Sequence, residues 1–291
     1  MAWVYKARYC TFLQKLYNLL VRFKEHSMKL TSASVLLAGL LVISACKREK
    51  ENVSPEGGMP GGNATATRGS FDVHFNNVVR DLDLDLGNVY YTTDDGDTYR
   101  ITHFNYYISN IAFNAADGTR YNEPESYHLV KEDVAESQLI RINNVPPGEY
   151  NSVSFTIGVD FYKNIDTIQV GNDLDTANGM YMGEGKGYIM AMLAGFAPRS
   201  ADGKLKYHIG GYQGMYNTIK NVTLQFEKPM TIDGNSQHIH INADVAKWFD
   251  GPNTIDFGVL PMVDTIGPGA KMIADNYANM FSIGGHATPG Q

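Results

Sequence analysis

"FDVHFNN", residues 71–77, places Phe71, Val73 and Phe75 on one face and Asp72 and His74 on the other. A period of two belongs to a half-buried β-strand. "DLDLDLG" (81–87) alternates as strictly, with Leu82, Leu84 and Leu86 opposed to Asp81, Asp83 and Asp85. Further strand-like runs fall at 100–113, 126–130, 138–142, 150–159, 187–193, 204–211, 219–226 and 238–245. Turn residues separate them: "DDGD" (94–97), "AADGT" (115–119), "VPPGEY" (145–150), and Asp-Gly pairs at 202–203 and 233–234. Many short strands with little helix imply an all-β fold, an antiparallel β-sandwich of the immunoglobulin-like kind. Two short helices are expected, at 242–249 and 269–281.

The folded part is preceded by a leader. Residues 28–46, "MKLTSASVLLAGLLVISAC", set Lys29 before an apolar run and end in small residues and Cys46. This is the pattern of a secretory signal, too short to span a membrane. Its end resembles a bacterial lipobox, which makes Cys46 the expected lipidation site. Residues 1–27 read as a start-site artefact or an extended leader. Residues 28–45 read as the signal peptide, 46–69 as lipidated Cys46 plus a Gly/Pro-rich flexible tether, and 70–291 as the sandwich domain.

The whole chain carries 24 Lys/Arg and 31 Asp/Glu, net −7. Residues 1–45 hold six of the basic residues and one acid, so the remainder has 18 basic and 30 acidic residues, net −12. Such a surface disfavours nucleic acid and anionic membrane, leaving the lipid anchor as the expected membrane contact. The two cysteines, Cys10 and Cys46, both lie outside the domain, so no disulfide, thiolate nucleophile or Cys-ligated metal is available there. A metal site must use His, Met, carboxylate or backbone oxygen.

No nucleophile elbow, phosphate loop or His-Glu-x-x-His appears, and the chain reads as a non-enzyme. The Asp residues of 81–85 read as a strand's wet face, not as calcium ligands. Beyond the leader lie His74, His103, His128, His208, His238, His240 and His286. His238 and His240 share one face of a strand, about 7 Å apart, within reach of one metal. His103 and His128 read as structural. In "GYIMAML" both faces are apolar, which marks a central strand, with Met190 and Met192 as core filler. Met180 and Met182 precede it, outside the strand.

Several stretches in order, among them "ITHFNYYISNIAF", "NNVPPGEYNSVSFTIGVD", "NGMYM", "KYHIGGY", "HINADV" and "KMIADNYANMF", resemble the MbnP-like copper-binding family. Its members are secreted or lipid-anchored β-sandwich proteins, some encoded beside a di-haem cytochrome c peroxidase-like partner. The resemblance implies a non-catalytic copper protein of the cell envelope, at the periplasmic or surface face of the outer membrane, for copper acquisition, storage or delivery. It points to His208 and His240 as metal ligands, then His74 and His286, with His238 a weaker neighbour. Relatives usually carry tryptophans where Met182 and Glu184 stand, and in some the tryptophan is oxidised to kynurenine, which supports copper binding. Met182 is thus an auxiliary ligand or the counterpart of that modified residue. The alternative function is a metal-free sandwich that recognises a glycan or protein on the envelope.

Overall fold

The structure, a computed structural model, describes residues 67–166 and 169–284. These belong to one compact unit, Asn63–Gln291. The leader, Cys46 and His286 lie outside the described residues.

The strands run β1 (Gly69–Val79), β2 (Leu82–Asp83), β3 (Tyr91–Thr92), β4 (Thr98–Ala115), β5 (Arg120–Asn122), β6 (Tyr127–Lys131), β7 (Leu139–Val145) and β8 (Gly148–Ile157). After the one-turn helix α1 (Phe161–Ile165) come β9 (Ile189–Phe196), β10 (Lys204–Gly210), β11 (Lys220–Ile232), β12 (Ser236–Asp244) and β13 (Met262–Val263). Helix α2 (Pro268–Tyr277) and β14 (Phe281–Ile283) follow. They form a five-stranded sheet, β14-β12-β1-β2 with β7 also on β1, and a nine-stranded sheet, β11-β8-β4-β9-β10-β13 with β3, β5 and β6 also on β4. This is the sandwich expected from the alternation. Most pairings are antiparallel, but β1 and β12 run parallel, as do β10 and β13.

The alternating residues explain the layers. Phe71, Val73 and Phe75 of β1 and Ile239, Ile241 and Ala243 of β12 meet Phe104, Tyr106, Leu193 and Tyr207 of the larger sheet in one core. Phe71 stacks on Phe113 with ring centroids 3.8 Å apart, and Trp248 packs edge-on to Phe104 at 5.7 Å. Each such side chain, buried fully, stabilises by about 1.5–3 kcal/mol. A net hydrogen bond contributes about 0.5–1.5 kcal/mol, so the aromatic core sets the stability.

Two elements differ from their sequence reading. The Asp-Leu alternation at 81–87 yields only β2. Arg80 adopts a left-handed φ of 59°, its N–H donates to Asp244 Oδ1 at 2.7 Å, and its guanidinium bridges Asp94 and Asp250. That turn folds the chain back on β1, so Leu82 is exposed while Leu84 is buried. Residues 242–249 are not a helix from their start. β12 continues to Asp244, in register with Val78, and only Val245–Trp248 close a 3-10 turn, capped by Asp244. The helix expected at 269–281 is present as α2 but ends at Tyr277, and Phe281 opens β14.

The larger sheet has a second apolar layer on its outer face. Tyr107, Leu129, Val159, Leu174, Met180, Tyr188, Met190 and Met192 form this smaller cluster. β9 is therefore buried on both faces, as its sequence implies. The hairpin of residues 180–189 closes over this layer, with Met182 N–H donating to Gly187 O and Ile189 N–H to Met180 O. Gly187 has φ 77°, and a Cβ there would lie 2.2 Å from Asn164 Oδ1, so only glycine fits.

Candidate metal centre

β6, β4, β9 and β10 lie side by side, and their register aligns Lys131, Asn105, Met192 and His208 in one row across the outer face of the larger sheet. The row beside it contains His103, Ala194 and Lys206. A small residue at 194 leaves room between the larger side chains on either side. His103, two residues from Asn105, shares its face, and Asn105 Nδ2 lies 2.9 Å from His103 Nε2. Asn105 is 4% exposed, and its Oδ1 has no hydrogen-bond partner among the described residues. An unmet buried acceptor costs about 1–3 kcal/mol.

Met182 completes the group. Gly210 follows His208 by two residues and shares its face. A Cβ built on Gly210 would sit 2.3 Å from Met182 Sδ. The absent side chain at Gly210 is what lets the hairpin lay this thioether against β10, two residues along from His208.

His208 is half-buried, and burial pushes its imidazole below the ordinary value of 6.5. Lys206 and His103 push in the same direction, and Asp264 opposes them. Asp264 is also the partner of Lys206, at 3.7 Å. The ring is thus held neutral near pH 7, with a lone pair to give.

The opposite outer face, on the smaller sheet, holds a second pair. The parallel register of β1 and β12 sets His74 beside His240, with ring centroids 5.4 Å apart. His74 Nδ1 bonds Asn76 Oδ1; Asn76 Nδ2 donates to Asn242 Oδ1 at 3.2 Å and reaches His240 Nδ1 at 3.5 Å. His238 is exposed and lies 3.8 Å from Asp72. A groove of about 630 Å³ opens beside His240, between β12 and residues 226–231 of β11.

The four expected histidines therefore do not share one site. His74 and His240 are neighbours, His208 is on the other sheet, and His286 is outside the described residues, two positions beyond Gly284. The sequence reading missed His103 and Asn105, and it took Met192 for filler only. Among the described residues no three His, Cys, Asp or Glu side chains group to hold a metal ion. On the larger sheet a centre would draw on thioether donors beside the imidazoles. Trp248 is fully buried, with Nε1 donating to Met280 Sδ at 3.3 Å, and takes no part.

The fold and this face define a β-sandwich whose candidate centre offers neutral imidazole, thioether and amide donors. The chain belongs to the MbnP family, whose model matches residues 68–265. The solved structure of MbnP from Methylosinus trichosporium is similar at a TM-score of 0.50 and 12% identity, covering 74% of this chain and 98% of that one. At that identity the likeness concerns the fold. No curated protein matches the chain.

Proposed function

We propose that this protein holds copper(I) without catalysis on the outer face of its larger sheet, as a carrier or store tethered to the envelope through Cys46. His208, His103, Met192 and Met182 would hold the ion, with Asn105 Oδ1 as an oxygen donor. The observation that carries the reading is the row that sets Met192 beside His208, with Met182 Sδ against Gly210 on the same face. The donors fit the ion. Thioether sulfur is soft, and imidazole suits copper in either oxidation state. The flanking Lys206 and Lys131 make the face less hospitable to a dication than to a monocation. Bound there, copper would be sequestered and handed on. A di-haem protein of the same compartment is the proposed partner for that exchange.

The test is a copper(I) competition titration of the purified chain against a chelator of known affinity. His208→Ala and Met182→Leu should each weaken binding about tenfold or more, equivalent to about 1.4 kcal/mol. Unchanged affinity in both variants would sink the assignment and leave the metal-free binding module in its place.

A further inference from the structure

We infer that the smaller sheet carries a separate site for a borderline divalent transition ion, built on His74 and His240. The two imidazoles stand in register on adjacent strands of a rigid parallel ladder, with ring centroids 5.4 Å apart. Nine register pairs hold β1 to β12, so neither backbone has freedom to move the rings apart.

The neighbouring amides act as orienting groups. Asn76 Oδ1 can only accept, so the contact with His74 Nδ1 puts the ring proton on Nδ1 and the lone pair on Nε2. Asn76 is itself fixed by its bond to Asn242 Oδ1, its register partner on β12. A ligating histidine whose other nitrogen donates to an oxygen is the usual second layer of a metal site, and His74 fits it; His240 Nδ1 faces the Asn76 amide N–H at 3.5 Å, so an ion on its Nε2 needs the ring proton moved to Nδ1 and that long contact given up. His240 lines the groove of about 630 Å³, which gives an ion and its waters a path to the pair. Gly284 N–H donates to the His240 carbonyl at 2.8 Å, and a Cβ on Gly284 would lie 2.8 Å from Asn242 Oδ1 and 3.3 Å from His240 Cβ. Glycine there keeps the chain from crowding the pair.

The charge setting differs from that of the copper face. One row away lies the Asp72 carboxylate, shared with His238 at 3.8 Å and Arg141 at 3.5 Å. Among the described residues no thioether stands in the row itself, although Met230 lines the adjoining groove. Two imidazoles with water completing the shell suit nickel(II), zinc(II) or copper(II), and give no advantage to a soft monocation. The site stands whether or not the copper(I) reading does, because the two share no residue.

The probe is nickel(II), titrated calorimetrically into the purified chain with folding checked by circular dichroism. One ion per chain is expected. His74→Ala and His240→Ala should each abolish binding, and Asn76→Ala should weaken it about tenfold, as loss of an orienting partner does. His208→Ala and Met182→Leu should leave nickel binding unchanged. On the unsubstituted chain, nickel should protect His74 and His240 from diethylpyrocarbonate, which keeps the test available if a variant fails to fold. Nickel binding that survives both histidine substitutions, or that protects neither ring, would overturn the site.

Discussion

His208 is where one side chain links stability and protons with the proposed copper ligand set. Its depressed pKa means the unfolded chain, at about 6.5, binds a proton more readily than the folded one. This contribution to stability is therefore complete above 6.5 and is lost as pH falls below it toward the folded value. Melting curves of the unsubstituted chain and of His208→Gln at pH 7.5 and 5.5 should show the variant losing less stability on acidification. The same shift protects the ligand. Because protons compete for the imidazole only below 6.5, copper(I) affinity should stay flat from pH 7.5 down to about 6.5 and fall beneath it. A decline beginning above pH 7 would place the titrating ligand elsewhere.

At the level of elements, the hairpin of residues 180–189 sets Met182 against β10 at Gly210. Gly210→Ala inserts a methyl where Met182 Sδ now sits, and the long, flexible methionine is the part that yields. The variant should fold, melt within a few degrees of the parent and bind copper(I) about as weakly as Met182→Leu. A loss confined to Met182→Leu would mean that the thioether's position against β10 is immaterial. Gly195→Ala should behave differently, because its Cβ would lie 2.1 Å from the backbone oxygen of Arg100 across the β4–β9 pairing. Backbone cannot swing aside, so the expected result is a large loss of melting temperature. These elements also mark what the sequence could convey. Alternation at 71–77 led directly to β1, where burial repeats every second residue, and the two-faced apolar run at 187–193 led to β9, which is buried on both faces. The same rule overreached at 81–87, where Arg80, anchored to Asp244 and Asp250 more than 160 residues away, turns the chain out of the strand. It also could not tell that His208 stands two strands from Asn105, since period two assigns faces but not neighbours. Strand order, fixed by the core as a whole, brings His103, Asn105, Met192 and His208 together and leaves His74 and His240 on the other side.

Across the whole molecule, one aromatic core separates the two proposed sites. Truncating that core should affect both alike: Trp248→Ala, which empties a fully buried position between Phe104 and Tyr277, should cost about 3–5 kcal/mol of stability. Copper(I) and nickel(II) should otherwise act independently. Packed sheets lie about 10 Å apart, and side chains on the two outer faces add further, giving a separation of about 20 Å. At physiological ionic strength the screening length is about 8 Å, so two solvent-exposed charges about 20 Å apart interact weakly. Sites this distant, with no common ligand and no shared strand, add their free energies to within about 0.5 kcal/mol. Copper(I) affinity measured with nickel(II) saturating should therefore stay within about twofold of its value without nickel, the factor that 0.5 kcal/mol allows. Lowering the salt to about 10 mM stretches the screening length to about 30 Å, and a modest mutual weakening should then emerge, because both ions are cations. Tenfold antagonism at physiological salt would mean that the ions compete for the same imidazoles, and the division of the histidines between the two faces would fail as the basis of selectivity.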